Sequence, residues 1–326
     1  MHALPSLRRS SLLLLALVLL GVPGQARAQA TGGSNFAWYF ISGCEREAYG
    51  AIANYDTARA QVDQALRDMY GRGQRRLRIP IYHGRGLNTG TVMDSTGGDL
   101  SPRHRGNLQG LLAAARSIGF AEIMVGFFPI GPNAPTQWTG WNEDLYQENW
   151  NLIVNLRPII AASGIHYRMD LLNEGTPTPT QSVLLQYTRR LWSNYTSVFG
   201  KNDTLGFSII GSEPGRISQI PQVYGGNLPY LFSLHFYENA SQHFVNAHNQ
   251  MNQLGLSQGW IIGEALYNDG TSASQLRSAI NATGRTVFYL AQWPVRLPAT
   301  CASPSAGLGV NVAPPVDYNV YLGYGF

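Results

Sequence analysis

The sequence predicts an α/β fold, a (β/α)8 TIM barrel forming a single domain over residues 31–326 after an N-terminal signal peptide. Three observations carry that expectation. Eight short apolar runs recur along the chain, segments with helical spacing of apolar residues separate them, and no Gly-x-Gly-x-x-Gly turn follows the first run. Strands alternating with helices imply βαβ units and a parallel sheet. Eight units without a dinucleotide-binding turn fit a closed barrel better than an open doubly wound sheet.

The first thirty residues have the layout of a secretory leader: Arg8 and Arg9, an apolar run over 12–22, then small residues up to Ala30. That run is too short for a bilayer, which needs roughly twenty residues, and cleavage fits after Ala28 or Ala30. The expected strands are 36–41, 76–82, 121–128, 167–172, 205–210, 229–236, 259–263 and 286–293. Helical spacing is clear over 55–70, 108–118, 150–160, 183–198 and 244–254. Gly71, Gly119, Gly164, Gly200 and Gly284 stand where C-caps are expected. The segment 215–226, after the fifth run, is the weakest helix.

The formal charge of +4 includes Arg8, Arg9 and Arg27, and no acidic residue lies in the leader, so the processed chain is close to neutral. Nucleic acid is therefore not an expected partner. Only 13% of residues are charged, which suits a protein that handles neutral ligands. The leader implies a secreted or periplasmic protein with no integral membrane segment after processing, and a monomer is expected. Cys44 and Cys301 would meet an oxidising compartment, where such a pair normally forms a disulfide. Cys44 lies just beyond the first strand and Cys301 beyond the eighth, and barrel closure makes those strands neighbours.

Barrel sites sit at the C-terminal ends of the strands. The fourth strand runs out in Asp170-Leu171-Leu172-Asn173-Glu174-Gly175, and the seventh in Gly263-Glu264-Ala265. Two carboxylates facing one cleft are the minimum apparatus of glycoside hydrolysis. In Asn173-Glu174 and Glu264, 90 residues apart, the chain resembles clan A of the glycoside hydrolases, and in Arg78-Ile79-Pro80 it is similar to family 5 of that clan. The resemblance implies Glu174 as acid/base and Glu264 as nucleophile of a retaining glycosidase acting on a β-linked polysaccharide, and short connections expected after most strands suggest an open cleft suited to endo-acting, internal cleavage. It further implies that Tyr237, of His235-Phe236-Tyr237, bonds the nucleophile, that Trp293 forms an aromatic floor, that Arg78 helps hold Glu264 ionised, and that Asn173 bonds the sugar 2-hydroxyl. Gly175 departs from the clan, where many members have Pro.

Other residues have two readings each. Glu213, in Gly-Ser-Glu-Pro after the fifth strand, could rival Glu174 or contact substrate. Asp170 reads as a buried partner of Arg78 or Arg168. His83 could line the cleft or cap a turn, and Trp138 and Trp141 could stack on sugars or pack within a loop. A different class, a non-catalytic carbohydrate-binding barrel associated with polysaccharide export or the cell envelope, would keep the fold without turnover. No cofactor or metal is expected, because no His-x-His pair marks the first strand, and no Gly-x-Ser-x-Gly elbow suggests a serine hydrolase.

Overall fold

The computed structural model describes residues 30–39, 49–296, 312–313 and 315–326. Eight parallel strand positions follow in chain order: β1 (Gly33–Asn35), β2 (Arg76–Gly84), β3 (Glu122–Pro129), β4 (His166–Asp170), β5 in two pieces (Thr204–Gly206 and Ile209–Ile210), β6 (Leu231–His235), β7 (Gly259–Glu264) and β8 (Val287–Gln292). The intervening helices are α1 (Tyr55–Gly71), α2 (Pro102–Ile118), α3 (Glu143–Ala162), α4 (Ser182–Phe199), α5 in two pieces (Pro214–Ile217 and Ile220–Tyr224), α6 (Ala240–Gln253), α7 (Gly270–Thr283) and α8 (Asn319–Gly323).

Each strand pairs with its sequence neighbours, and β1 pairs with β8 through Ser34 and Gln292. The first piece of β5 pairs with β4 and the second with β6, so the ring closes through a broken strand. The break has a local cause. Gly206 is left-handed (φ 73°), a Cβ there would meet the Tyr224 hydroxyl, and that hydroxyl accepts the Phe207 N–H at 3.0 Å instead of a neighbouring strand. The sequence predicts one continuous strand at 205–210; the structure turns the chain at Phe207 and Ser208.

Side chains alternate across the barrel wall. Leu77, Ile79 and Ile81 of β2 face outward into the large core shared with the helices. Met124, Leu205, Leu231, Ile261 and Tyr289 form a small apolar layer inside. Arg78, on the inward face of β2, lies in the polar layer towards the C-terminal ends.

β1 lies a few residues before the expected 36–41. Gly33 approaches the Arg76 carbonyl too closely for any Cβ, while Asn35 turns its amide onto the Gly263 and Gln292 carbonyls, so this strand carries no apolar signature. Phe36 then enters the core. Among the helices, α2 starts ahead of its apolar pattern because Ser101 caps it, accepting the His104 N–H, with Pro102 in the first turn. Gly119 and Gly284 are left-handed C-caps as expected, whereas Gly71 lies inside α1 and Ser163, not Gly164, caps α3. The 215–226 segment forms only the two short pieces of α5. Residues 1–29 of the expected leader, Cys44 and Cys301 lie outside the described residues. No helix among the described residues is long and apolar enough to cross a membrane.

Candidate active site

Arg78 is the centre of the arrangement at the C-terminal end of the barrel. It is fully buried, and its hydrogen-bond partners come from β1, β7 and the end of β4. Its Nη1 donates to Asn35 Oδ1 (2.8 Å) and Glu264 Oε1 (2.5 Å); its Nη2 donates to Asp170 Oδ2 (2.8 Å) and Asn173 Oδ1 (2.7 Å). A guanidinium presents its donors in a rigid planar fork, so four acceptors around it are fixed relative to one another. Phe128 of β3 lies under it, 5.0 Å from ring centre to guanidinium carbon.

Glu264, at the end of β7, is nearly as buried as Arg78. Its second oxygen accepts the Tyr237 hydroxyl, so each oxygen carries a donor. Burial, followed by the Glu264 charge, pushes the Tyr237 hydroxyl far above its ordinary pKa, so it acts as a donor. Glu174, beyond β4, is about a third exposed (32%). Burial raises its carboxyl pKa; Arg78 and Arg216 oppose the rise and Glu213 adds to it. His235, at the end of β6, places Nδ1 3.0 Å from Glu174 Oε1 and 3.6 Å from Glu264 Oε1. Burial, the largest influence, brings its pKa down to about 4, leaving the imidazole neutral at pH 7.

One side-chain ligand atom from each of Glu174, His235 and Glu264 lies within 4.8 Å of the other two. Such a trio has the composition of a metal site, but the Arg78 guanidinium already supplies the adjacent cation, 2.5 Å from the Glu264 carboxylate. The arrangement thus offers one carboxylate saturated with donors, a second of raised pKa, and a neutral imidazole beside both.

A cavity of ≈ 340 Å³ opens against Glu174, lined by residues that include Phe128, Ile130, Gln137, Asn173 and Arg216. Because the Asn173 carbonyl oxygen is held by Arg78, its NH2 group is left to face a ligand. Trp293, just after β8, meets Trp38 edge-on at 6.1 Å and lies stacked 6.4 Å from Phe128, and Tyr82 completes this aromatic wall.

The remaining sequence candidates do not line the cavity, although Asp170 belongs to the Arg78 arrangement. His83 is 2% exposed, holds Ser95 Oγ through Nδ1 (3.1 Å) and does not line the cavity; burial alone brings its pKa down to about 3. Trp138 donates its indole N–H to the Pro132 carbonyl and packs on Trp141 and Tyr187, while Trp141 packs on Tyr146 beneath Arg190. Both tryptophans anchor the loop before α3 and neither lines the cavity. Glu213 is paired with Arg216 at 2.6 Å, turned away from a role equivalent to that of Glu174. Asp170 partners Arg78, and Arg168 pairs with Glu122 instead. Sequence reasoning passed over Asn35, Ser208, Arg216 and the wall of Trp38, Tyr82 and Phe128. The first lies in a strand without apolar pattern, the next two follow from the β5 break, and the aromatics read as ordinary core.

No family model and no curated protein matches the chain. Solved structures do match in fold. A GH5_18 protein from Bifidobacterium longum subsp. infantis superimposes with a TM-score of 0.62 at 11% identity, covering 92% of this chain and 78% of that one. A beta-mannanase from Streptomyces thermolilacinus gives 0.52 at 13%, covering 85% and 84%. An endo-beta-mannanase/endo-beta-glucanase from Prevotella bryantii gives 0.56 at 11%, covering 91% of this chain and 48% of that one. At these identities the likeness establishes the barrel fold.

Proposed function

We propose that this chain is a glycoside hydrolase that cleaves a β-linked glycan with retention of anomeric configuration, Glu264 serving as nucleophile and Glu174 as acid/base. The single observation that carries this reading is the close approach of the two carboxylates, with oxygens of Glu174 and Glu264 within 4.8 Å. Retaining pairs stand about 5 to 5.5 Å apart, whereas inverting pairs stand about 6.5 to 9.5 Å apart to admit a water. A carbohydrate-binding barrel without turnover has no use for a buried carboxylate held by two donors beside a second one of raised pKa.

The steps follow from the geometry. Glu174, whose carboxyl pKa burial raises, gives its proton to the glycosidic oxygen as Glu264 attacks the anomeric carbon and the bond to the leaving group breaks. Arg78 and Tyr237 hold Glu264 in one orientation throughout, so the attacking oxygen needs no reorganisation. In the second step ionised Glu174 takes a proton from water as the water oxygen bonds the anomeric carbon and the ester bond to Glu264 breaks, and neutral His235, able to donate from Nδ1, supports the Glu174 carboxylate. The Asn173 NH2 group is placed to bond a sugar hydroxyl, and Trp293 offers an apolar face for the ring.

Among the fold neighbours, a Streptomyces cattleya GH5_18 variant is described in complex with Manb1-4GlcNAc and others are mannanases. Mannose-containing β-glycans therefore head the substrates to be screened, and because the connections after β1 to β4 are long, internal against terminal cleavage is read from the products. The leader-like composition of residues 1–30 supports an activity outside the cytoplasm, a reading that N-terminal sequencing of the mature protein tests. The decisive experiment incubates purified protein with diverse polysaccharides, follows new reducing ends, and assigns the first-formed anomer by NMR. Glu264→Ala and Glu174→Ala should each abolish the activity while melting cooperatively. Full activity in either variant sinks the assignment, and an inverted first product sinks the retaining mechanism.

A further inference from the structure

Glu174 has a backbone conformation that glutamate rarely adopts. Its φ is 50°, in the left-handed region, and it stands third in a four-residue turn closed by the Gly175 N–H on the Leu172 carbonyl (3.1 Å). Glycine or asparagine normally fills such a place. Gly175 suits this turn and proline would not. The closing bond needs an N–H that proline lacks, and the residue before a proline is pushed towards extended backbone.

Strained conformations of this kind persist where their surroundings over-determine them. Two residues around the β5 break do so. Ser208 Oγ accepts the Glu174 N–H at 2.7 Å, and Arg216 Nη1 donates to the Glu174 carbonyl at 3.1 Å and the Thr176 carbonyl at 2.6 Å. Both peptide groups of Glu174 are thereby held from the same side of the barrel. Ser208 is itself anchored, since its N–H donates to Asp170 Oδ1 (3.0 Å), and Asp170 Oδ2 is held by Arg78. Arg216 is anchored by Glu213. A hydrogen-bonded path therefore runs from Glu264 through Arg78, Asp170 and Ser208 to the backbone of Glu174.

We propose that Ser208 and Arg216 are positioning residues that clamp Glu174 in its left-handed turn and so set the acid/base carboxyl in register with Glu264. The proposal deepens the glycosidase reading and rests on it for its catalytic half, but its structural half stands alone. The break in β5 then has a purpose: it frees the Ser208 N–H for Asp170, which anchors the residue whose hydroxyl accepts the Glu174 N–H.

The structural half is read by melting temperature. Glu174→Gly and Glu174→Ala both remove the carboxyl, so their difference reports the backbone. Glycine should melt higher than alanine, the reverse of the usual order, because only alanine resists a positive φ. In a background carrying Ser208→Ala and Arg216→Met the turn is free to relax and the gap should close. An alanine variant as stable as the glycine variant in the native background, or a gap unchanged without the clamp, overturns the proposal whatever the chain hydrolyses.

The catalytic half is read by leaving-group dependence on the glycoside that the screen identifies. Ser208→Ala and Arg216→Met should lower kcat on a poor leaving group by about tenfold or more, within the range expected of a misplaced general acid. An activated dinitrophenyl glycoside, which needs little protonation, should be far less affected. Arg216→Lys, which keeps a cation for Glu213 and a donor for the carbonyls, should recover part of the loss and guards against misfolding of the methionine variant. Equal losses on both leaving groups would overturn the positioning role. A wild-type protein inert on every glycan would sink the glycosidase reading and leave the melting comparison to decide the clamp.

Discussion

The barrel carries two buried charge networks, one at each end, and they are built in opposite ways. Towards the C-terminal ends of the strands a single cation, Arg78, is shared by Glu264, Asp170 and two amide oxygens. Towards the N-terminal ends a single carboxylate, Glu122, is shared by Arg168 (2.8 Å), the Tyr289 hydroxyl (2.9 Å), His166 (3.1 Å) and Arg76 (3.7 Å). Arg76 and Arg78 stand two residues apart on β2, so period-2 alternation alone turns both inward. The difference lies in what each cation must hold. Glu122 has donors in excess, whereas Arg78 is outnumbered by acceptors, one of which, Asn173, lines the cavity. The first network closes the barrel; the second orients it for chemistry.

The largest effect expected from breaking this contrast is that of Arg78→Met. Removing a fully buried cation leaves Asp170 and Glu264 without their shared partner, and breaking such pairs costs roughly 3–5 kcal/mol. Chemical denaturation should show that loss together with the disappearance of hydrolysis. A variant that keeps both stability and activity would mean that Arg78 is not the frame of the site.

Acid should then separate the two ends. The folded pKa of His235, about 4, lies below its ordinary 6.5, so the unfolded chain takes up the proton first as pH falls. Stability that is full above pH 6.5 is lost as pH falls towards 4, by about 3 kcal/mol. His235→Gln should remove this part of the acid sensitivity. His83, also depressed by burial, contributes equally in both proteins and cancels from the difference. Parallel stability profiles for the two proteins would show that His235 is not held neutral in the fold.

What the sequence made legible divides along the same physical line. β2, β3, β6, β7 and β8 are readable because their outward faces are apolar, and because β2 carries Arg78 in Arg-Ile-Pro while the ends of β6, β7 and β8 carry His235, Glu264 and Trp293. β1 was misplaced because Gly33, Ser34 and Asn35 act through close backbone approach and hydrogen bonds, which leave no hydropathy trace. The β5 break depends on Gly206 meeting Tyr224 from a distant turn, so Ser208 and Arg216 had no local signal. α7 announces itself mainly by Gly284 at its end, since GTSASQLRSAINAT is only sparsely apolar. Trp138 and Trp141 illustrate the opposite failure: a loop tryptophan after a barrel strand reads as a sugar platform, and only the Tyr146 and Tyr187 rings waiting on α3 and α4 decide otherwise.

At the other end, Glu122→Gln should cost about 1–3 kcal/mol, because the amide still accepts one bond but leaves Arg168 and Arg76 without a counter-charge. Both arginines are partly exposed, at 21% and 16%, which moderates the loss. Since Arg168, Tyr289, His166 and Arg76 make no hydrogen bond to Arg78, Glu264 or Glu174, kcat should be unchanged at a temperature where the variant is folded. A fall in kcat without a change in KM would show that the two networks are coupled.

The smallest effect belongs to His166→Ala. Its side chain is 58% exposed and meets Glu122 from the barrel rim, an interaction of the class worth about 0–1 kcal/mol. The variant should denature within about 0.5 kcal/mol of the parent and retain its kinetics. A loss as large as that of Glu122→Gln would mean that the N-terminal network acts as one cooperative unit instead of a carboxylate with two close partners, Arg168 and Tyr289, and two weaker ones. The contrast between the ends would then rest on charge stoichiometry alone, since both networks would be equally rigid.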